Sequence, residues 1–315
     1  MRKRKPIYVE SRIRGAMDEL WAKTQQPELH QRWDLRFGEI SYAPRAEGEP
    51  QRFTYATKVA PGVRIAGVGE SLGEKDRADG GRWSGLKYWA NDWRSPIKAR
   101  AGYWRYLPTD DGIRFLTRYD YRPRWGQAGE AIDRLAFRPV FGWATAWSFD
   151  RLRLWLEEGT PPERARNQAV AHASAVTALA GAWLYHGLVP KLLAPDPMEA
   201  EMVRRSGVAA ARVGLFVKLM GVGEAALGAW MVARPRSRAP FALSLAGITG
   251  LTVGAWRADR RVFTKAFNPV SINLALFALG VVALSTAEGL PSGRTPLRSS
   301  PDVQPQIELL PEDNP

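Results

Sequence analysis

The sequence predicts an α+β domain, an antiparallel sheet around a long C-terminal helix, followed by an all-α four-helix transmembrane bundle. Three observations predict it. Apolar residues alternate with polar ones up to about Gly159, and a long helical stretch closes that half. Beyond a Pro-rich hinge, "EEGTPPERARNQ", the period changes and four apolar runs follow. Each run is close to the roughly 20 residues that cross a bilayer core.

The first strand is "PIYVESRIR". Ile7, Val9 and Ile13 share one face, with Tyr8, Glu10, Arg12 and Arg14 on the other. Two short helices follow, "AMDELWAKTQQ" and "PELHQRW", the second opening with Pro27 at a helix start. Then come about six strands bounded by Gly, Pro and Asp. The last is "IRFLTRYDYRP", with Ile113, Phe115, Thr117, Tyr119 and Tyr121 on one face. A helix over about Ala131–Glu158 ends the half, and Pro139 should kink or split it. The sheet needs its apolar face covered, and that helix is the only large element left to do so.

This order resembles the SRPBCC/START-like (polyketide cyclase-like) superfamily over residues 6–158, most closely at "IYVESRIRGAMDELWAKTQQPELHQRWDLRFGEISY". The resemblance implies a helix-grip fold around a cavity. It says little about activity, because lipid carriers, polyketide cyclases and aromatase-like enzymes share that fold.

The later runs are about Gln168–Val189, Gly207–Val232, Ala239–Trp256 and Pro269–Ala287. A soluble bundle is the competing reading, since the runs are Ala- and Gly-rich and the second carries Arg212, Lys218 and Glu224. Soluble helices, however, carry a polar stripe over about half their surface, and these have isolated polar residues only. The segments "WLYHGLVPKLLAPDPMEAEMV", "LMGVGEAALGAWMV" and "FNPVSINLALFALGVVAL" resemble the DoxX-like family of small four-helix membrane proteins over about 168–288. Some members of that family are linked to sulfur or quinone redox chemistry. The expected domains are 1–160, 161–290 and a disordered Pro-, Ser- and acid-rich tail over 291–315.

The net charge is +13 and the pI about 10.2. No basic block carries the aromatic spacing of an RNA-binding sheet, so no nucleic-acid partner is expected. Cysteine is absent and only His30, His172 and His186 are present, so no metal site is expected. "MRKRKPIYVE" has no apolar core behind its charges and does not read as a signal peptide. The N-terminal domain is therefore expected in the cytoplasm. Arg164 and Arg166 flank the first run there, and Arg234, Arg236 and Arg238 mark the second connection as internal. The third connection, with Arg257, Arg260, Arg261 and Lys265, then lies outside, against the positive-inside rule.

Gly207, Gly214, Gly221 and Gly228 recur every seven residues, a stripe where another helix backbone could approach closely. Pro190 should end the first span. A depth count along the two antiparallel spans sets Glu224 level with His172, its expected partner. Lys218 is six residues from Glu224 and points elsewhere. His186 and Lys191 read equally well as interfacial anchors or as functional groups. The membrane polar candidates are thus His172, His186, Lys191, Glu199, Lys218 and Glu224. The DoxX-like resemblance favours His186, Lys191, Glu199 and Glu224, with Lys191 and Glu199 folding over the mouth of the bundle. In the first half, Trp33, Trp89, Tyr119 and Trp143 are the candidate ligand-binding aromatics. Arg32, Asp34 and Asp92 are candidates to orient a ligand, with no acid–base pair set by spacing.

The leading function is membrane-anchored binding, with transfer or sensing, of a lipid-like or quinone-like molecule by a cytoplasmic START-like domain. The alternative is a membrane oxidoreductase subunit with a membrane redox partner; a plain tether is the third reading. Redox work would need a bound cofactor of unknown kind. "GVGE", at Gly67 and again at Gly221, is too short to be a dinucleotide fingerprint.

Overall fold

The computed structural model describes residues 6–60, 62–264, 266 and 268–300. The chain divides into two compact units, residues 1–165 with 291–315, and residues 166–290.

The first unit opens with β1 (Ile7–Ile13), α1 (Met17–Gln25) and α2 (Pro27–Trp33). Six strands follow: β2 (Glu39–Tyr42), β3 (Arg52–Ala60), β4 (Val63–Asp76), β5 (Arg82–Trp89), β6 (Ile97–Thr109) and β7 (Gly112–Pro123). They form one antiparallel sheet in the order β1-β7-β6-β5-β4-β3-β2. Bulges at Lys58/Ala60, Ser71/Gly73 and Ile97/Ala99 add local bend and twist. On β4, Gly69 and Gly67 pair with Phe53 and Tyr55 of β3. A Cβ at Gly69 would stand 2.1 Å from the Phe53 ring, so the missing side chain is what lets that ring lie across the strand.

The closing helix has three parts: α3 (Gly126–Ile132), a π-helical turn (Asp133–Phe137) and α4 (Arg138–Glu157). Pro139 was expected to kink or split this helix. The helix is interrupted directly before it: Pro139 sits in the first turn of α4, and the wider π turn that precedes it accommodates the missing N–H and the ring. α4 packs on the sheet through Ala146, Phe149 and Leu152, and the Phe149 ring stacks on Phe115 of β7 at 4.5 Å. Arg151, buried on α4, donates to the carbonyls of Arg32, Trp33 and Pro162.

Two expectations change here. Tyr8 and Glu10, on the polar face of an alternating strand, are buried as well. The Glu10 carboxylate accepts two N–H bonds from Arg114 at 2.9 Å and the Tyr8 hydroxyl as well. The tail expected to be disordered from Pro291 is ordered through Ser300; residues 301–315 lie outside the described residues. Leu297 exchanges both backbone bonds with Glu10, at 2.9 and 2.8 Å, and so covers the free edge of β1. The Ser292 N–H bonds Asp150, and the Arg298 guanidinium reaches the Pro139 carbonyl. Pro and Ser content hid a segment whose bonds are made by its backbone.

The second unit holds most of α5 (Pro162–Leu188), then a π-helical turn (Val189–Leu193), α6 (Pro197–Arg205), α7 (Val213–Ala233), α8 (Ala239–Ala258) and α9 (Pro269–Ser285). α6 was read as plain connection, but its signals are strong. The Asp196 side chain caps the Met198 N–H, Pro197 takes the first position, and Arg204 and Arg205 occupy the last turn. Pro190 does not end the first span: helical backbone runs on to Leu193 through the π turn. Among the described residues, two helices are long and apolar enough to cross a membrane, Ala210–Ala233 and Ala239–Ala258; Pro269–Ser285 is apolar but shorter. Large apolar side chains such as Leu215, Leu219, Val222 and Leu243 point outward.

Half of the glycine stripe is a contact. Gly221 lies against the end of α5, where a Cβ would meet the Gly187 carbonyl and Lys191 Cβ at 2.8 Å, and Gly228 faces Ala180 and Leu184. Gly214 has nothing within 4 Å, and Gly207 lies outside the helix with φ +99°. Gly221→Leu should therefore destabilise the bundle by about 1–3 kcal/mol or more, through overpacking. Gly214→Leu should stay within about 0.5 kcal/mol. Denaturation of the two variants in detergent checks this; equal loss would remove the close crossing as the explanation.

Candidate functional site

Two clusters carry chemistry, one in each unit. In the first unit α2 ends on His30, Trp33 and Asp34, and the chain turns through Arg36 and Phe37 into β2. His30, Asp34 and Arg36 are all buried. Arg36 Nε donates to Asp34 Oδ1 at 2.8 Å, and its Nη2 donates to Oδ2. His30 Nε2 lies 3.0 Å from Asp34 Oδ2. The imidazole sits among the rings of Trp33, Phe37 and Trp104. Burial alone would raise the Asp34 pKa, but the Arg36 guanidinium and the His30 ring outweigh it and hold the carboxyl well below the usual range. Burial pushes the His30 pKa down against the pull of Asp34, so the ring is neutral and donates from Nε2.

Arg36 and Tyr88 border two small cavities. One, about 20 Å³, is also lined by Phe37, Ser84, Leu86, Trp104, Thr117 and Tyr119. The other, about 60 Å³, is lined by Tyr55, Ile65, Trp89, Ala90, Ile97, Phe137 and Phe141. An open groove of about 510 Å³ between Gln25, Tyr42, Gln51, Phe53 and Glu74 shares Leu86 with the first. Of the expected ligand-binding aromatics, Tyr119 and Trp89 line these spaces. Trp33 does not: it is wholly buried against Phe115 and Phe149 and is a packing residue. Trp143 is half-exposed and stacks on Trp147, on the opposite face of α4 from the residues that meet the sheet. Arg32 pairs with Glu163, and Asp92 with the neighbouring Arg94, so neither points into a cavity. Sequence reasoning missed Arg36 and Tyr88; the signal was Arg36 two residues from Asp34, between two buried aromatics.

In the second unit Lys191 Nζ lies 3.1 Å from Glu224 Oε2 on α7 and 3.3 Å from Glu199 Oε1 on α6. It also donates to the His186 carbonyl at 3.3 Å. Pro190, with no N–H, cannot serve that carbonyl, and the lysine takes its place. Lys191 and Glu224 are buried and Glu199 is partly exposed.

The pairing of Glu224 with His172 is overturned. His172 Nε2 donates to the Pro235 carbonyl at 2.7 Å, and Nδ1 lies 3.0 Å from Thr286 Oγ1. The depth count assumed that both spans end level. Helical backbone instead runs on to Leu193 while α7 begins only at Val213, so Glu224 is level with Gly187. Two further candidates leave the cluster: Lys218 is exposed on α7, and the His186 ring is exposed beside Tyr185, with only its carbonyl taking part. Among the described residues no group of His, Asp and Glu is arranged to hold a metal.

Residues 180–281 match the model of the DoxX-like family. The uncharacterized membrane protein YndG of Bacillus subtilis (strain 168) is 41% identical over 186 residues, which span 59% of this chain and 69% of that protein. The chain belongs to this family of membrane proteins. The Lys191–Glu224 contact lies within these matched residues. Three solved structures are similar to the chain. The di-domain ARO/CYC StfQ from the steffimycin biosynthetic pathway is 14% identical, with 49% of this chain and 52% of that chain covered and a TM-score of 0.36. The present chain therefore spans about half the length of StfQ. A STAR-related lipid transfer protein fragment from Xanthomonas axonopodis is 17% identical, covering 47% and 84%, with a TM-score of 0.36. The Zhui aromatase/cyclase from Streptomyces sp. R1128 is 12% identical, covering 47% and 96%, with a TM-score of 0.35. The first unit's own order of strand, two helices, six strands and long helix is the helix-grip order that the START-like resemblance implied.

Two predictions follow from these clusters. Lys191→Met leaves the Glu224 carboxylate buried without its cation and should cost about 3–5 kcal/mol of bundle stability. Adding Glu224→Leu should restore most of that loss in a detergent denaturation series; no rescue would mean the pair is not coupled. The second concerns acid. The folded pKa of His30 is depressed, so below about 6.5 the unfolded chain takes up a proton that the folded one refuses, and stability falls with pH. The Asp34 contribution is full above about pH 4 and is lost as the pH falls through its depressed folded value. Thermal melts followed by tryptophan fluorescence should decline in two stages on acidification, and His30→Gln should abolish the upper one.

Proposed function

We propose that the chain is a membrane-anchored binder of a hydrophobic, lipid-like or quinone-like molecule, which its START-like domain holds on the cytoplasmic side for transfer or sensing. In this reading the domains divide near residues 160 and 290, and α5, α7, α8 and α9 form a four-helix transmembrane bundle. The arginines at Arg164, Arg166, Arg234, Arg236 and Arg238 support a cytoplasmic first unit.

One observation carries the binding role. A run of spaces lies along the sheet, the groove meeting the first cavity at Leu86 and the first meeting the second at Arg36 and Tyr88; the second also touches the closing helix at Phe137 and Phe141. Aromatic and aliphatic side chains make up most of the lining of the two enclosed cavities, and Arg36, the cation that borders both, is paired with Asp34. The enclosed cavities are far below the ~300 Å³ of ordinary small-molecule sites. A ligand therefore needs Phe137 and Phe141, which roof the second cavity from the π turn and α4, to move aside. The alternative, a membrane oxidoreductase subunit with a redox partner, draws support from the Lys191–Glu224–Glu199 cluster, which sets groups able to exchange protons within an apolar bundle.

Native mass spectrometry of the full chain in detergent should find a co-purifying hydrophobic small molecule. Ser84→Leu, which fills the first cavity, should lower its occupancy about tenfold, the equivalent of ~1.4 kcal/mol. An empty wild-type protein that also takes up no added lipid or quinone would sink the binding role.

A further inference from the structure

We infer that the end of the first unit formed by the β5–β6 loop, the β7–α3 turn and the π-helical turn is a docking surface for an anionic phospholipid bilayer. The inference rests on the membrane association of the family and does not need a ligand to be bound.

Three elements meet there. Arg124 ties two of them, its N–H bonding the Pro96 carbonyl at 2.9 Å and its guanidinium the carbonyls of Ala90 and Ser95. This ties the loop that carries Trp93 to the turn that carries Trp125. Trp125 is 44% exposed and is held in the left-handed region at φ 66°, a conformation a bulky side chain adopts only under constraint. The third element is the closing helix. Ile132, Leu135, Val140 and Trp143 follow in steps of three, five and three, and the step of five falls where the wider π turn fits an extra residue. They form one apolar face pointing out, while Phe137 and Phe141 point in over the second cavity.

The exposure is large for side chains of this kind: Trp93 is 73%, Leu135 76% and Val140 61% exposed. So many exposed large apolar side chains gathered on three joined elements mark an interaction site. Tryptophans beside long aliphatic side chains suit the boundary between headgroups and acyl chains. Charge chooses among occupants. From Asp92 to Lys98 and from Arg122 to Arg138 the basic residues are Arg94, Lys98, Arg122, Arg124, Arg134 and Arg138, against Asp92, Glu130 and Asp133. A second copy of this surface would repel such an excess, whereas anionic headgroups are attracted by it.

The absence of cysteine makes single-site labelling unambiguous. Leu135→Cys carries a nitroxide at an exposed position, and Asp110→Cys, in the β6–β7 turn at the other end of the sheet, is the control. The full chain is placed in nanodiscs of neutral phosphatidylcholine or with about 30% phosphatidylglycerol. With anionic lipid, the label at 135 should gain collisions with oxygen and lose collisions with a water-soluble nickel chelate, by about threefold over the label at 110. The double change Lys98→Glu with Arg134→Glu should reverse that gain, as should high salt. A label at 135 as water-accessible as that at 110 in both lipids overturns the inference. So does a label shielded from both reagents, which would place a protein there. Neither result bears on the ligand reading, which stands or falls on the co-purified molecule.

Discussion

The Asp34–Arg36 pair is the constraint around which the first unit is built. Two opposite charges out of reach of water keep each other ionised only while their geometry holds. That geometry reaches four elements. Asp34 closes α2 by donating its N–H to the His30 carbonyl, and His30 joins it to the aromatic cluster under β6. The Arg36 carbonyl accepts the Thr57 hydroxyl of β3, while its guanidinium lies over the rings of Phe37 and Tyr119. The wall between the two cavities is thus set by electrostatics as well as by packing. An apolar replacement of Asp34 could fill the same volume, but the His30 ring N–H and the Arg36 backbone N–H, both of which donate to its carboxylate, would lose that acceptor.

The second unit solves a different problem with the same economy of polar groups. Apolar side chains already face outward, so association of its helices gains little from hiding them and depends on close contact. Gly187 and Gly221 let α5 and α7 approach backbone to backbone. That approach is what places Lys191, one turn beyond Gly187, within reach of Glu224, one turn from Gly221. The ion pair and the glycine crossing are one feature: bulk at the crossing would pull the charges apart.

Alternation and turn residues made the sheet legible, and the order of elements made its helix cover legible. The Lys191, Glu199 and Glu224 residue types in an apolar setting pointed to a polar cluster. What failed was distance along the chain. A depth count needs to know where helical backbone stops, and Pro190 gave the wrong sign because a π turn can carry a proline through. Trp33 and Trp143 failed for another reason. Composition says that aromatics are plentiful, but only the packing decides which face a core, which a cavity and which the outside. Arg36 was missed because a single arginine has no period to betray it.

The return of residues 291–300 to the edge of β1 makes the membrane-associated unit an insertion within the first. The sheet edge at Glu10 meets its last partner, Leu297, only after every helix of the second unit has been made. At roughly 5–20 residues per second, the domain waits on the order of ten seconds with the outer edge of β1 uncovered. Biosynthesis thus has a built-in order. The helices must be handed to the membrane while an incomplete sheet sits at the start of the chain. The charges of Arg12, on that open edge strand, and of Arg14, just beyond its end, act in the interval as a guard against pairing with another chain.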